Sequence, residues 1–130
     1  MRRLSPILAL LAVLLPACGD DEREGGRAAT VPAAKGLRVA GDEYRFDPKR
    51  VVITGAKGGG PLEVTLANKG ALAHNLKLFR GDRELGGTPT FQGGRTRSGR
   101  VALAPGRYRM VCTVGNHAEL GMVGELQVRE

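Results

Sequence analysis

Residues 112–122, CTVGNHAELGM, carry a thiolate, an imidazole and a thioether within eleven positions: Cys112, His117 and Met122. The whole chain of 130 residues holds only two histidines, two cysteines and three methionines, so this segment takes one of each from a short supply. The other histidine, His74, stands about forty residues upstream at the head of an apolar run. Soft sulfur donors with imidazole suit copper, and two His, one Cys and a distant Met form the donor set of a mononuclear blue-copper electron-transfer centre. Zinc competes less well, because structural zinc sites favour several closely spaced thiolates and a thioether binds zinc poorly. Taken singly, Cys112 reads as a buried inert thiol, His74 as a hydrogen-bonded core residue and Met122 as packing. Their concentration is what argues for a metal.

Short strands must position these donors. From residue 36 to 130 the chain divides into alternating or apolar runs broken by Gly, Pro and Asn, at 37–40, 43–46, 51–54, 62–67, 74–79, 97–103, 107–112 and 124–129. Seven or eight short strands at this spacing, with no long helical period, predict an all-β sandwich. Alternation in the 107–112 run puts Tyr108, Met110 and Cys112 on one face and Arg107 and Arg109 on the other, so Cys112 points inward at its strand's end. His74, Leu76 and Leu78 likewise share a face. The loop after Cys112, with a turn at 118–120, then folds His117 and Met122 over the same end. Residues 80–96 are glycine-rich and read as a surface loop or irregular edge. The GAKGGGP run at 55–61 lacks the ending of a phosphate loop and reads as a turn. The RGD tripeptide at 80–82 reads as chance. A core without Trp, built on Phe46, Phe79, Tyr108 and aliphatic residues, is small, and a bound metal would add useful stability.

Upstream, the charged start MRR followed by an apolar run over 4–15 has the order and length of a signal peptide and is too short to span a bilayer. The run ends in LPACG at 15–19, which resembles a bacterial lipobox and makes Cys18 the expected lipidated residue; Pro16 departs from the usual Ala or Ser. Residues 1–17 are therefore expected to be removed, 18–35 to form a flexible tether with a reach of roughly 23 Å, and 36–130 to be the one folded domain. The implied location is the periplasm or the outer face of the bacterial cell membrane. With Cys18 committed, Cys112 lacks a disulfide partner, and an unpaired thiol in an exported protein fits metal ligation. The formal charge of +7 becomes +5 without Arg2 and Arg3. Its basic residues are scattered and not interleaved with aromatics, which argues against nucleic acid as a partner.

The run GRYRMVC at 106–112, followed by His117, Gly121-Met122 and the strand at 124–128, together with His74-Asn75, resembles the C-terminal half of a cupredoxin, the family of plastocyanin- and azurin-like blue copper proteins. The resemblance covers about residues 36–130. It implies a Greek-key β-sandwich holding one type 1 copper ion, with His74 and His117 as equatorial nitrogens, Cys112 as the thiolate and Met122 as the weak axial ligand. Asn75 would tie the upstream strand to the ligand loop. The four residues between Cys112 and His117 are nearer azurin's spacing, the four between His117 and Met122 nearer plastocyanin's, and Asn116 stands where Pro or Gly often precedes the second histidine. A binuclear copper site needs two cysteines in this loop, and there is one.

What the resemblance implies is a monomeric electron carrier exchanging single electrons with donor and acceptor redox proteins. Electrons would pass at the edge of His117, inside an apolar rim of Ala118, Leu120 and Gly121. No acid, base or nucleophile constellation is visible, so the chain is not expected to be an enzyme. The alternative is an extracytoplasmic copper-binding or delivery module, which would call for additional Met or His residues.

Overall fold

The computed structural model describes residues 27–130. The elements in chain order are β1 (Ala29–Pro32), a 3-10 turn (Ala33–Lys35), β2 (Leu37–Asp42), β3 (Arg45–Asp47), β4 (Arg50–Thr54), β5 (Pro61–Asn68), β6 (Lys77–Arg80), β7 (Arg83–Gly87), β8 (Arg95–Ala102), β9 (Gly106–Val111) and β10 (Val123–Val128). They form a six-stranded sheet, β1-β4-β10-β9-β6-β7, and a four-stranded sheet, β3-β2-β5-β8. The chain crosses repeatedly from one sheet to the other. Pairs β1/β4, β4/β10 and β2/β5 run parallel, and the rest are antiparallel. No helix among the described residues is long and apolar enough to cross a membrane.

Side-chain alternation explains why these two sheets face each other. Leu37 and Val39 on β2, Leu62, Val64 and Leu66 on β5, Val51 and Ile53 on β4, and Leu126 and Val128 on β10 are all buried, while the arginines between them face out. Each such aliphatic side chain withdrawn from water contributes about 1.5–3 kcal/mol. Tyr108 and Met110 on β9 point inward as their spacing predicts, and the Tyr108 hydroxyl donates to the Ala104 carbonyl at 2.5 Å. The apolar cluster runs unbroken from Leu37 to Cys112 and Met122, so both sulfur atoms of the expected donor set are core residues.

Among the described residues ten strands stand where seven or eight were expected. β1 lies in the segment read as tether; it pairs in parallel with β4, so the ordered sandwich begins before residue 36. Of its four residues only Val31 packs on the core from one side of an edge strand, which leaves almost no periodic signal. β7 lies inside the stretch read as a loop and forms a hairpin with β6 across Gly81-Asp82, where Gly81 has φ +59°. The RGD tripeptide is this turn. Glycines permit close approach on both sides of β7: a β-carbon at Gly87 would overlap the Leu76 carbonyl, and one at Gly99 on β8 would overlap the Gly87 carbonyl. Two strand starts also shift. Glu43 and Tyr44 form the β2–β3 turn, and His74 precedes β6 in an isolated bridge with Phe91.

Candidate metal centre

Three buried residues bring one donor atom each to a common point beneath one end of the sandwich: His74, Cys112 and His117. The Nδ1 atoms of the two histidines lie 3.1 Å apart, and Cys112 Sγ lies 3.8 Å from His74 Nδ1 and 3.6 Å from His117 Nδ1. A triangle with these sides has a circumscribed circle of radius about 2.0 Å, the nitrogen–metal bond length and about 0.3 Å short of the sulfur–metal bond length found for zinc, a divalent first-row ion. One ion at its centre reaches all three donors without moving the backbone. The donor set therefore fits a single metal of the soft, imidazole-and-thiolate kind.

Local structure explains how the chain delivers them. His74 exchanges two backbone hydrogen bonds with Phe91, each 3.1 Å, which fixes its Cα although it stands outside β6. Cys112 follows the last residue of β9. The connection to β10 coils: His117 N–H donates to Val114 O, Leu120 N–H to Asn116 O and Gly121 N–H to Ala118 O, with Gly115 at φ +48° and Gly121 at φ +115° permitting the reversals. The coil closes when Met122 N–H donates to His117 O at 3.0 Å and Cys112 N–H to Met122 O at 3.1 Å. Met122 is thereby held beside Cys112 and fully buried, with its terminal methyl over Gly41; a β-carbon at residue 41 would come within 3.0 Å of it.

Asn75 joins the two halves. Its Oδ1 accepts the Thr113 backbone N–H at 2.9 Å, while its Nδ2 donates to Thr113 Oγ1 at 2.8 Å and Thr90 Oγ1 at 2.9 Å. The residue after one histidine thus grips the residue after the cysteine. This is the tie that the sequence resemblance implied. No buried side-chain polar atom among the described residues lacks a partner.

The β2–β3 turn contributes two contacts that no sequence pattern revealed. Glu43 Oε1 lies 3.0 Å from His74 Nε2, and the Tyr44 ring packs on the His117 ring at 4.8 Å between centroids, tilted by 58°. Donation from the Leu72 backbone N–H, then from His74, and further donation from Ala71, hold the Glu43 carboxyl down at about 2. As an ionised acceptor it leaves the proton of His74 on Nε2 and turns the Nδ1 lone pair toward Cys112. Burial, and secondarily the neighbouring His74, push His117 below the usual histidine range; the Glu43 charge opposes this in part. A neutral imidazole is the metal-binding form. Leu72 and Leu120, 44 % and 51 % exposed, are the large apolar side chains left at the surface among the described residues. Leu120 belongs to the expected rim, and Leu72, two residues before His74, was not anticipated. The leader at 1–17, Cys18 and the tether at 18–26 lie outside the described residues.

Solved structures share this arrangement of strands. Dithionite-reduced auracyanin from Roseiflexus castenholzii superposes with a TM-score of 0.60 over 79 % of this chain and 98 % of its own, at 22 % identity. Auracyanin A, a blue copper protein of Chloroflexus aurantiacus, gives 0.57 over 77 % of this chain and 99 % of its own, again at 22 % identity. The chain has the cupredoxin fold. Rusticyanin from Thiobacillus ferrooxidans adds a third cupredoxin match, with a TM-score of 0.55 over 76 % of this chain and 81 % of its own at 20 % identity. No protein-family model and no curated protein matches the sequence. At these identities the likeness is one of fold, and the donor cluster of this cupredoxin sandwich stands on its own geometry.

Proposed function

We propose that this chain is a mononuclear blue-copper electron carrier whose ligands are His74, Cys112, His117 and Met122. The observation that carries this reading is the triangle of two imidazole nitrogens and one sulfur, sized for one ion and buried in the apolar core. Bound there, copper supplies one-electron chemistry by alternating between Cu(II) and Cu(I). The protein's part is to hold the donors still. His74 is fixed by Phe91, Cys112 and Met122 by each other's backbone, and the two segments by Asn75, so the donor positions change little with the charge they surround. His74, Cys112 and Met122 are fully buried and His117 nearly so, and a donor set with this little solvent access supports a carrier over an enzyme.

His117 is the donor residue nearest solvent, 8 % exposed; the exposed Leu120 lies three residues on in the same coil, and the exposed Leu72 two residues before His74. That surface suits brief docking of a redox donor and acceptor to a monomer. A copper-delivery module would present its donors at the surface for exchange, whereas these are buried. The leader and Cys18 support export and lipid anchoring at the outer face of the cell membrane, with the carrier domain held near that surface; mass spectrometry of the mature N-terminus, with Cys18→Ser as control, tests this. The metal reading is tested by loading the metal-free protein from residue 19 onward with one equivalent of Cu(II). The expected result is an intense thiolate-to-copper visible band with narrow hyperfine splitting in the EPR spectrum, absent in Cys112→Ser and altered in His117→Ala. A pale solution with wide splitting, or no stoichiometric uptake, refutes it.

A further inference from the structure

The β2–β3 turn supplies no metal donor, yet it touches both histidines. Glu43 is the more consequential contact, because it meets His74 at the ring nitrogen opposite the donor. Its carboxylate is not placed by a free side chain. The backbone N–H groups of Leu72 and Ala71 donate to it at 2.9 and 3.2 Å, so three donors converge on two oxygens and fix where the charge sits. His74 itself is fully buried, so no water competes for its Nε2–H.

A carboxylate that accepts the second N–H of a ligating imidazole sets the tautomer and raises the basicity of the donor nitrogen. It also places a negative charge one ring away from the metal, and a fixed negative charge favours the ion with the larger positive charge. A neutral acceptor at the same position would orient the ring without this second effect. We propose that Glu43 is a positioning residue that sets the reduction potential of the centre, orienting His74 through Nε2–H and biasing the site toward Cu(II) over Cu(I). This rests on the blue-copper reading above. Glu43 is 31 % exposed, so solvent screens part of its charge, and the expected bias lies at the lower end of the ten- to hundredfold range for residues that act through a ligand.

The test compares copper-loaded wild-type protein with Glu43→Gln, which keeps an acceptor for His74 and removes the charge. Both are expected to show the thiolate band, and the midpoint potential of the variant is expected to rise by the equivalent of a roughly tenfold loss in the ratio of Cu(II) to Cu(I) affinity, about 59 mV for one electron. If Glu43 served only to clasp residues 71 and 72, the variant would melt earlier and its potential would stay put. An unchanged or lowered potential in a variant that retains the band overturns the proposal. Absence of the band from wild type overturns the copper reading instead. If Glu43→Gln does not fold, nitrogen-15 NMR of the wild-type Cu(I) form decides: a His74 Nε2–H protected from solvent exchange supports the assignment, and a ring with its proton elsewhere or in fast exchange defeats it.

Discussion

Replacing Asn75 with alanine should loosen the donor cluster without removing a donor. The side chain is buried and makes three hydrogen bonds, two of them to Thr113. Removing Oδ1 strands the Thr113 N–H, and a buried unpaired donor costs about 1–3 kcal/mol. The two threonine hydroxyls can rotate toward other acceptors, so each lost bond to Nδ2 adds a smaller amount, about 0.5–1 kcal/mol. The sum is about 2–5 kcal/mol. For a domain of this size that lowers the melting temperature by roughly 10–25 °C. Urea unfolding of the metal-free protein measures it, with the denaturant slope unchanged if the unfolded chain is unaffected. A cycle with Thr113→Val isolates the side-chain bond and should show a coupling of about 0.5–1 kcal/mol. A loss below about 1 kcal/mol, or strict additivity in the cycle, would mean that Asn75 does not join the two segments and that the loop is held by its own backbone alone.

Gly41→Ala places a methyl 3.0 Å from the Met122 terminal methyl and 3.1 Å from Leu66 Cδ1, so overpacking should cost about 1–3 kcal/mol in thermal melting; an unchanged melting temperature would show that Met122 has room to withdraw. The metal-free protein should also lose stability on acidification in two steps. His117 has a lowered pKa in the fold, so the unfolded chain takes up a proton first: stability is intact above 6.5 and falls as the pH drops from there toward the folded value. Glu43 contributes stability that is present above 4.5 and is lost as the pH falls toward about 2. Melting curves across this range should show the upper limb vanish in His117→Ala while the lower limb persists; an unchanged upper limb would assign that step to another group.

The donors were legible in the sequence because their chemistry is rare and their spacing short. Cys112 could be placed inward from Tyr108 and Met110 by alternation, and each of the eight runs overlaps a strand, seven of them because they carry buried aliphatic residues and the run at 43–46 through Phe46 alone, although 43–44 and 74–76 fall outside the strands. β1 and β7 were hidden for the opposite reason. Both are edge strands with little buried apolar surface, and β7 is built around glycines whose role, close approach to Leu76 and to β8, can be seen only once the partners are in place. Glu43 and Tyr44 were hidden by register. Read as part of a strand they are an unremarkable alternating pair, and only the turn at 43–44 aims both toward histidines 31 and 73 positions away. Nothing in a linear pattern marks such a turn as part of a site. Leu72 carried no signal either, being one leucine in an unassigned stretch whose exposure, 44 %, is visible only in the fold.

Three of the four donors travel on a single connection between neighbouring strands. β9 ends at Val111 and β10 begins at Val123, and the coil between them is closed by its own hydrogen bonds. Strand pairing therefore places few demands on residues 113–121 beyond meeting ends. Length and content of that insert can therefore change while the two sheets keep their pairing, so the surroundings of these three donors can vary without altering the fold. His74 is the donor that does not travel with it. Held by the Phe91 backbone and the Glu43 carboxylate, neither of which lies in the loop, it is the fixed reference against which every new version of the loop must be selected.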